Sequence, residues 1–265
     1  MRLTVDGRDV YAYTGTRPFD AARPTALFVH GAANDHSVWA LQSRYFAHHG
    51  WNVLALDLPG HGRSGGEALA AVEAIADWIA SVVDACGARA ASLVGHSLGS
   101  LAVLEATARH PDRVERVALL GPAYPMPVSD VLQDAAKANE HLAFELINSW
   151  SWSPGKQFGG NTLPGVWLTG NGMRLMERTR PGVLYADLMA CHNYRRGLDA
   201  AAAVRCPALV IAGTRDLMVP ARDAQALIAT LPAARAVMLQ DCGHSMMAEQ
   251  PDAVLDALKG FLSAS

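Results

Sequence analysis

The sequence predicts an α/β fold, a doubly wound and mostly parallel sheet with an inserted helical cap. Three observations carry that expectation. Short apolar runs alternate with helical patterns along most of the 265 residues. Most of those runs are unbroken by polar residues, as in strands covered on both faces of a parallel sheet. The alternation then stops for roughly 80 residues between two strands, too long for an ordinary connection and best read as an insertion.

Taken in order, "MRLTVDGRDVYAY" reads as two short strands joined by a turn at Asp6-Gly7. Strands are expected at Ala26–His30, Val53–Asp57, Ser92–Gly95, Val114–Leu120, Ala208–Gly213 and Ala236–Gln240. The clearest helix is Ala68–Val83, where Leu69, Val72, Ile75, Ile79 and Val82 recur at helical spacing. Another runs from Ser97 through Leu101 and Leu104 until Pro111 stops it, and a last one spans about Asp252 to Leu262. Residues 124–205 form the expected cap, with "DVLQDAAKANEHLAFELINSW" as its first helical stretch and "SPGKQFGGNTLPG" as a loop. Residues 1–123 and 206–265 form the sheet core, and no internal repeat is visible.

Composition narrows the class. With 22 basic and 25 acidic residues the net charge is −3, which gives no reason to expect a nucleic acid or an anionic membrane as partner. An apolar content of 51% with 18% charged residues excludes a disordered chain. No apolar run reaches membrane-spanning length, and the N-terminus has no secretory apolar segment, so a cytoplasmic location is expected. Cys86, Cys191, Cys206 and Cys242 are widely spaced without CxxC pairs, which argues against zinc and against a disulfide framework. Abundant alanine and a strong preference for arginine over lysine suggest a GC-rich bacterial genome.

The chemistry concentrates in "LVGHSLGS". Ser97 stands between Gly95 and Gly99, where an apolar run ends and a helix begins. A side chain raised at a strand end needs a tight, strained turn, and glycines on either side remove Cβ atoms where strand and helix crowd. The bland reading is a Gly/Ser loop without chemistry. A serine hydroxyl near neutral pH needs a base, usually a histidine held by a carboxylate. Of ten histidines, His48, His49 and His110 read as surface or helix-end residues, and His141 and His192 fall in the insertion. His36 is placed to line the cleft, but "NDHS" equally reads as a helix cap, and His30 reads as a brace for its loop. His244 follows the last strand and Asp216 the one before, both at the strand-end side where Ser97 emerges. Singly, these are also a loop histidine and a turn aspartate. Together they compose a triad. Backbone donors for an oxyanion are expected from Leu98, after the nucleophile, and from Ala32 in "HGAANDHS".

These pieces, "HGAAND", "ALDLPGHGRS", "LVGHSLGS", "GTRDLMVP" and "CGHSMMAEQP", resemble the α/β-hydrolase superfamily, in order and over essentially the whole chain outside the cap. The resemblance implies Ser97 as nucleophile, His244 as base, Asp216 as orienting acid, and Ala32 and Leu98 as oxyanion donors. In "DLPGHGRS", Asp57 and His61 look like turn-stabilising residues. Ser100 stands where many relatives have a second glycine. Ala32 replaces the bulky aromatic of haloperoxidase-like relatives, which weakens the case for perhydrolysis. Dehalogenases and epoxide hydrolases carry aspartate at the elbow, and carbon–carbon bond hydrolases usually carry "HGxGPG", which "HGAAND" fits poorly.

The expectation is therefore a serine hydrolase that cleaves a carboxylic ester of a small to medium apolar molecule through an acyl-enzyme, with no metal and no cofactor. Met218, Val219, Met246, Trp150 and Trp167 are the candidate substrate-binding residues, although cap tryptophans and methionines equally suit the cap's own core. A lactonase or carbon–carbon bond hydrolase of the same fold, an acyltransferase and a non-catalytic ligand-binding protein stay open, as does the oligomeric state.

Overall fold

The computed structural model describes residues 1–160 and 165–263. The strands are β1 (Arg2–Val5), β2 (Arg8–Tyr13), β3 (Thr25–Val29), β4 (Asn52–Leu56), β5 (Ala91–His96), β6 (Val114–Leu120), β7 (Ala208–Gly213) and β8 (Ala234–Leu239). They form one sheet in the order β1-β2-β4-β3-β5-β6-β7-β8. From β4 to β8 every pairing is parallel, whereas β1–β2 and β2–β4 are antiparallel. Asp6 and Gly7 both take positive φ, the geometry of a tight hairpin turn between β1 and β2.

Strand residues alternate between two apolar layers. Leu27, Leu54, Leu93, Val117 and Val210 face one side, and Phe28, Val53, Val94, Ala118 and Ile211 the other. Helices α1 (Ala40–His48) and α12 (Pro251–Leu262) cover the Phe28 face. Helices α2 (Val72–Ala85) and α3 (Leu98–Arg109) cover the Leu27 face. Both faces of β3 to β7 are buried, which is why these strands read as continuous apolar runs. β8, at the sheet edge, has one buried residue, Leu239, and three exposed ones.

Between β6 and β7 the chain forms α4 (Asp130–Lys137), α5 (His141–Ser151), α6 (Pro154–Gln157), α7 (Leu168–Met176), α8 (Val183–Asn193) and α9 (Gly197–Ala203). After β7 come α10 (Gln225–Thr230) and, before α12, α11 (Met246–Glu249). The first inserted helical stretch is two helices rather than one. Asn139 takes φ 55, a left-handed conformation that asparagine tolerates at a helix end, and its side chain accepts the Gly182 N–H at 2.6 Å. Helix α2 starts at Val72 instead of Ala68 because Ala71 is extended, although Leu69 still packs on the core. The expected loop from Ser153 opens with α6, and its residues 161–164 lie outside the described residues.

Leu132, Ala136, Ile147, Met176, Leu184 and Leu188 gather into a third apolar cluster, which Ala33 of the core completes. At its far end, the Tyr194 hydroxyl donates to Glu105 of α3 at 2.7 Å, and the Arg196 guanidinium donates to the other Glu105 oxygen at 2.9 Å.

Candidate active site

β5 ends in His96, and the next residue, Ser97, adopts φ 55 and ψ −119 before α3 begins. Such a conformation costs a serine on the order of 1–3 kcal/mol. Its N–H donates to the Leu120 carbonyl at 2.9 Å, which fixes the turn to the end of β6. The flanking glycines are required by close approach. A Cβ on Gly95 would lie 2.1 Å from the Gly99 carbonyl oxygen, and one on Gly99 would lie 2.4 Å from that of Val29. The Ser100 hydroxyl donates to the Ser97 carbonyl at 2.5 Å, a bond that a glycine at 100 would lack.

Asp216 and His244 come from the loops after β7 and β8. Asp216 Oδ1 accepts the N–H groups of Met218 and Val219 at 2.9 and 2.7 Å, which leaves Oδ2 for His244 Nδ1 at 2.7 Å. The carboxylate accepts, so Nδ1 carries a proton and donates it to Asp216, which turns Nε2 away from that bond. That Nε2 is buried and has no hydrogen-bond partner among the described residues. Gly121, just beyond the Leu120 that anchors Ser97, gives the imidazole room: a Cβ there would sit 3.1 Å from His244 Cε1. His96 completes the contact between the two loops, its Nε2–H donating to the His244 carbonyl at 3.0 Å and the two rings lying 4.6 Å apart. Burial, with the nearby His244, pushes the His96 pKa well below the ordinary value, so the ring is neutral.

The loop after β3 makes a turn in which the Asn34 N–H donates to the Gly31 carbonyl at 3.3 Å, leaving the Ala32 N–H outside that bond. A Cβ on Gly31 would touch Ser97 Cβ at 3.1 Å, so the turn lies directly against the elbow. Leu98, as the first residue of α3, has an N–H with no intrahelical acceptor. His30 braces the loop: its Nδ1–H donates to the Gly31 carbonyl at 2.8 Å, and Nε2 accepts the Leu58 N–H at 3.1 Å.

A cavity of about 510 Å³ opens beside His96. His96 and Ser245 border it, Val38, Trp152, Leu168 and Met247 give it apolar wall, and Arg174 and Arg178 line it without any lining carboxylate. None of the five candidate substrate-binding residues lines it. Met246 is fully buried in the sheet core, and Val219 is buried beside Asp216. Trp150 and Met218 pack on the helical cluster, and Trp167 is 71% exposed along a separate 190 Å³ groove. The cause is that helical spacing identifies an apolar face without saying which neighbour covers it.

Asp35, His36 and Asp57 bring three ligand-type atoms within 4.8 Å of one another, but both Asp57 oxygens and one Asp35 oxygen already accept hydrogen bonds. Asp57 Oδ1 accepts both the N–H and Nδ1–H of His36, Oδ2 accepts the Arg63 N–H, and Asp35 Oδ1 accepts from Ser37. Burial works against the Asp57 charge, yet these donors, led by His36, hold its pKa below the ordinary value.

Two buried carboxylates were not expected from the sequence. Glu249 accepts the Gly243 N–H at 3.2 Å and both the N–H and hydroxyl of Ser153, tying the His244 loop to the end of α5. Asp187 of α8 accepts the Ala33 N–H and the His61 Nε2–H, each at 2.9 Å. Its signal is an acidic residue between Leu184 and Leu188, on the apolar stripe of a helix.

A model of the Alpha/beta hydrolase family matches residues 26–257. The (E)-2-((N-methylformamido)methylene)succinate hydrolase of Acinetobacter baylyi is 26% identical over 250 residues, 90% of each chain. A pimeloyl-[acyl-carrier protein] methyl ester esterase from Aromatoleum aromaticum is 28% identical, over 87% of this chain and 94% of its own. Among solved structures, the enol-lactonase from Burkholderia xenovorans superposes with a TM-score of 0.86 at 22% identity, covering both chains fully. No helix among the described residues is long and apolar enough to cross a membrane.

Proposed function

The chain belongs to the alpha/beta hydrolase family, and from that premise we propose that it is a cytoplasmic serine hydrolase acting on a carboxylic ester. One observation carries this reading: the buried His244 Nε2, without a hydrogen-bond partner among the described residues, belongs to a ring oriented by Asp216 and packed on His96, the residue before the strained Ser97. Ser97 Oγ attacks the acyl carbon while His244 Nε2 takes its proton, and the charge that develops on the carbonyl oxygen meets the N–H groups of Ala32 and Leu98. The imidazolium, steadied by Asp216, returns the proton to the departing alcohol. Water then repeats the sequence on the acyl-enzyme, giving the acid and free Ser97. None of these steps calls for a metal or an organic cofactor.

The segment at 124–205 acts as the cap over this site, and the cavity beneath it selects the substrate. Its apolar wall suits an aliphatic or aromatic arm, and Arg178, whose guanidinium has no ion-pair partner among the described residues, suits a polar or anionic end. The names of the two relatives, a methyl ester esterase and a hydrolase of a succinate derivative, support a hydrolase reading.

The test is release of p-nitrophenol from a short-chain ester by wild type and by Ser97→Ala, with organophosphonate labelling followed by peptide mass mapping. Turnover lost in the variant and a label on Ser97 are expected; equal rates in both proteins, or a label elsewhere, would refute the assignment. Lactones, diketones and added alcohol in the same assay separate the ester reading from lactonase, carbon–carbon hydrolase and acyltransferase activity.

A further inference from the structure

Asp187 lies at the middle of α8 and is 1% exposed, yet its carboxylate reaches out of the inserted segment to the turn beside Ser97. Asp187 Oδ2 accepts the Ala33 N–H at 2.9 Å. From the same segment the Thr179 hydroxyl donates to the Ala33 carbonyl at 3.2 Å. Both peptide groups of one core residue are therefore held by the chain that covers it.

Ala33 needs that hold. In the Gly31–Asn34 turn it occupies the third position with φ 53, while Ala32 has no positive φ, which makes the turn type II in character. Type II turns favour glycine at this position, and an L-residue there costs about 1–2 kcal/mol. The alternative type I turn joins the same ends without positive φ and differs by a flip of the Ala32–Ala33 peptide. That flip would aim the Ala32 carbonyl at Asp187 in place of the Ala33 N–H, two negative groups face to face.

His61 makes the buried carboxylate tolerable. Its Nδ1 meets the Pro59 carbonyl at 3.0 Å and its Nε2 meets Asp187 at 2.9 Å, so both ring nitrogens face acceptors and both carry protons. Burial opposes this charge, but Asp187 and the Pro59 carbonyl hold the His61 pKa above the ordinary value.

We infer that Asp187 is a positioning residue for hydrolysis: by accepting the Ala33 N–H it holds the strained turn in place against the Ser97 elbow, and with it the adjoining Gly31–Ala32 peptide whose N–H serves the oxyanion. The inference rests on the proposed oxyanion role of Ala32. The unit spans three separate stretches of chain, and its selectivity comes from setting a charge against one peptide orientation.

The experiment compares wild type, Asp187→Asn and the double variant Asp187→Asn with Ala33→Gly. Asparagine halves the hold by removing the charge, and glycine adopts positive φ without strain, so it needs no hold. Asp187→Asn is expected to lower kcat about ten- to a hundredfold, less than the loss of a whole oxyanion donor, with KM within about threefold. Binding of a trifluoromethyl ketone, which forms a tetrahedral adduct with Ser97, is expected to weaken in parallel while binding of the product acid stays unchanged. Added Ala33→Gly is expected to restore most of the kcat, which a general packing defect would not allow. Wild-type kcat in folded Asp187→Asn, a loss confined to KM, or a loss that Ala33→Gly leaves in place would overturn the inference. Should Asp187→Asn fail to fold, Thr179→Val removes the second hold on Ala33; a kcat loss at constant KM supports the inference and wild-type kcat overturns it. Absence of an organophosphonate label on Ser97 in the wild type would instead remove the serine-hydrolase reading beneath it.

Discussion

Replacing Gly99 with alanine asks how tightly the Ser97 elbow is seated. The new Cβ would stand 2.4 Å from the Val29 carbonyl oxygen, 2.6 Å from that of His30 and 2.9 Å from the Val29 carbonyl carbon. All three are backbone atoms at the end of a central strand, so no side chain can swing aside. Favourable contacts of this kind begin near 3.5 Å, so α3 and the end of β3 must separate by on the order of 1 Å. Alanine gains about 1 kcal/mol in helix propensity over glycine. Overpacking against fixed neighbours costs about 1–3 kcal/mol, so the net effect is a destabilisation of up to about 2 kcal/mol. The rate is expected to fall further than the stability. Separating α3 from β3 pulls the Leu98 N–H away from the Ala32 N–H, and a displacement of about 1 Å in a catalytic arrangement costs on the order of 10²-fold. Urea midpoints and kcat on a p-nitrophenyl ester measure the two effects. Gly155→Ala in α6 is the control, since a Cβ there meets nothing within 4 Å. A Gly99→Ala protein with wild-type midpoint and wild-type kcat would refute the close-approach argument for the elbow.

Arg178→Gln is expected to raise KM severalfold for an ester whose far end carries a carboxylate and to leave a neutral short-chain ester unaffected; equal effects on both would remove Arg178 from substrate recognition. His30 and His61, with rings 4.9 Å apart, give stability opposite pH limbs. Burial first, and then the His61 charge, lowers His30 to about 4. Its contribution is therefore full above pH 6.5 and is lost towards pH 4, about 3 kcal/mol in all. The raised His61 contributes fully below pH 6.5, and that part is lost as pH climbs through its folded pKa. Urea midpoints across pH 4 to about 9 are expected to show a weaker alkaline decline in His61→Gln than in wild type; parallel curves above pH 6.5 would contradict the His61–Asp187 pair.

What the sequence made legible follows from how local each signal is. Strands β3 to β7 are buried on both faces, so their apolar runs stand out, and Ser97 and Asp216 come just after two of them, while His244 follows the edge strand β8. The break at Asn139 was written locally too, in a residue that tolerates left-handed backbone, but helical periodicity on either side masked it. Asp187 was not legible as a neighbour of Ala33, because the two are 154 residues apart and meet only after α8 folds over the core. The cavity lining was hidden for a related reason. Met246 and Trp150 are as apolar as Met247 and Trp152, and only the direction in which each helix faces decides which pair borders the cavity.

β6 and β7 are neighbours in the sheet, so the chain that departs after Leu120 returns at Ala208 to the adjacent position. Geometrically, the residues between them look exchangeable among relatives, as a cassette that leaves the strands undisturbed. The bonds from Asp187 and Thr179 to Ala33, and from Ser153 to Glu249, make the exchange conditional. A chimaera that imports a new cassette without an equivalent carboxylate and hydroxyl inherits Ser97, Asp216 and His244 together with an unsupported turn. Recombination at these junctions would therefore yield folded but slow enzymes, in which a new substrate preference and efficient turnover have to be acquired together.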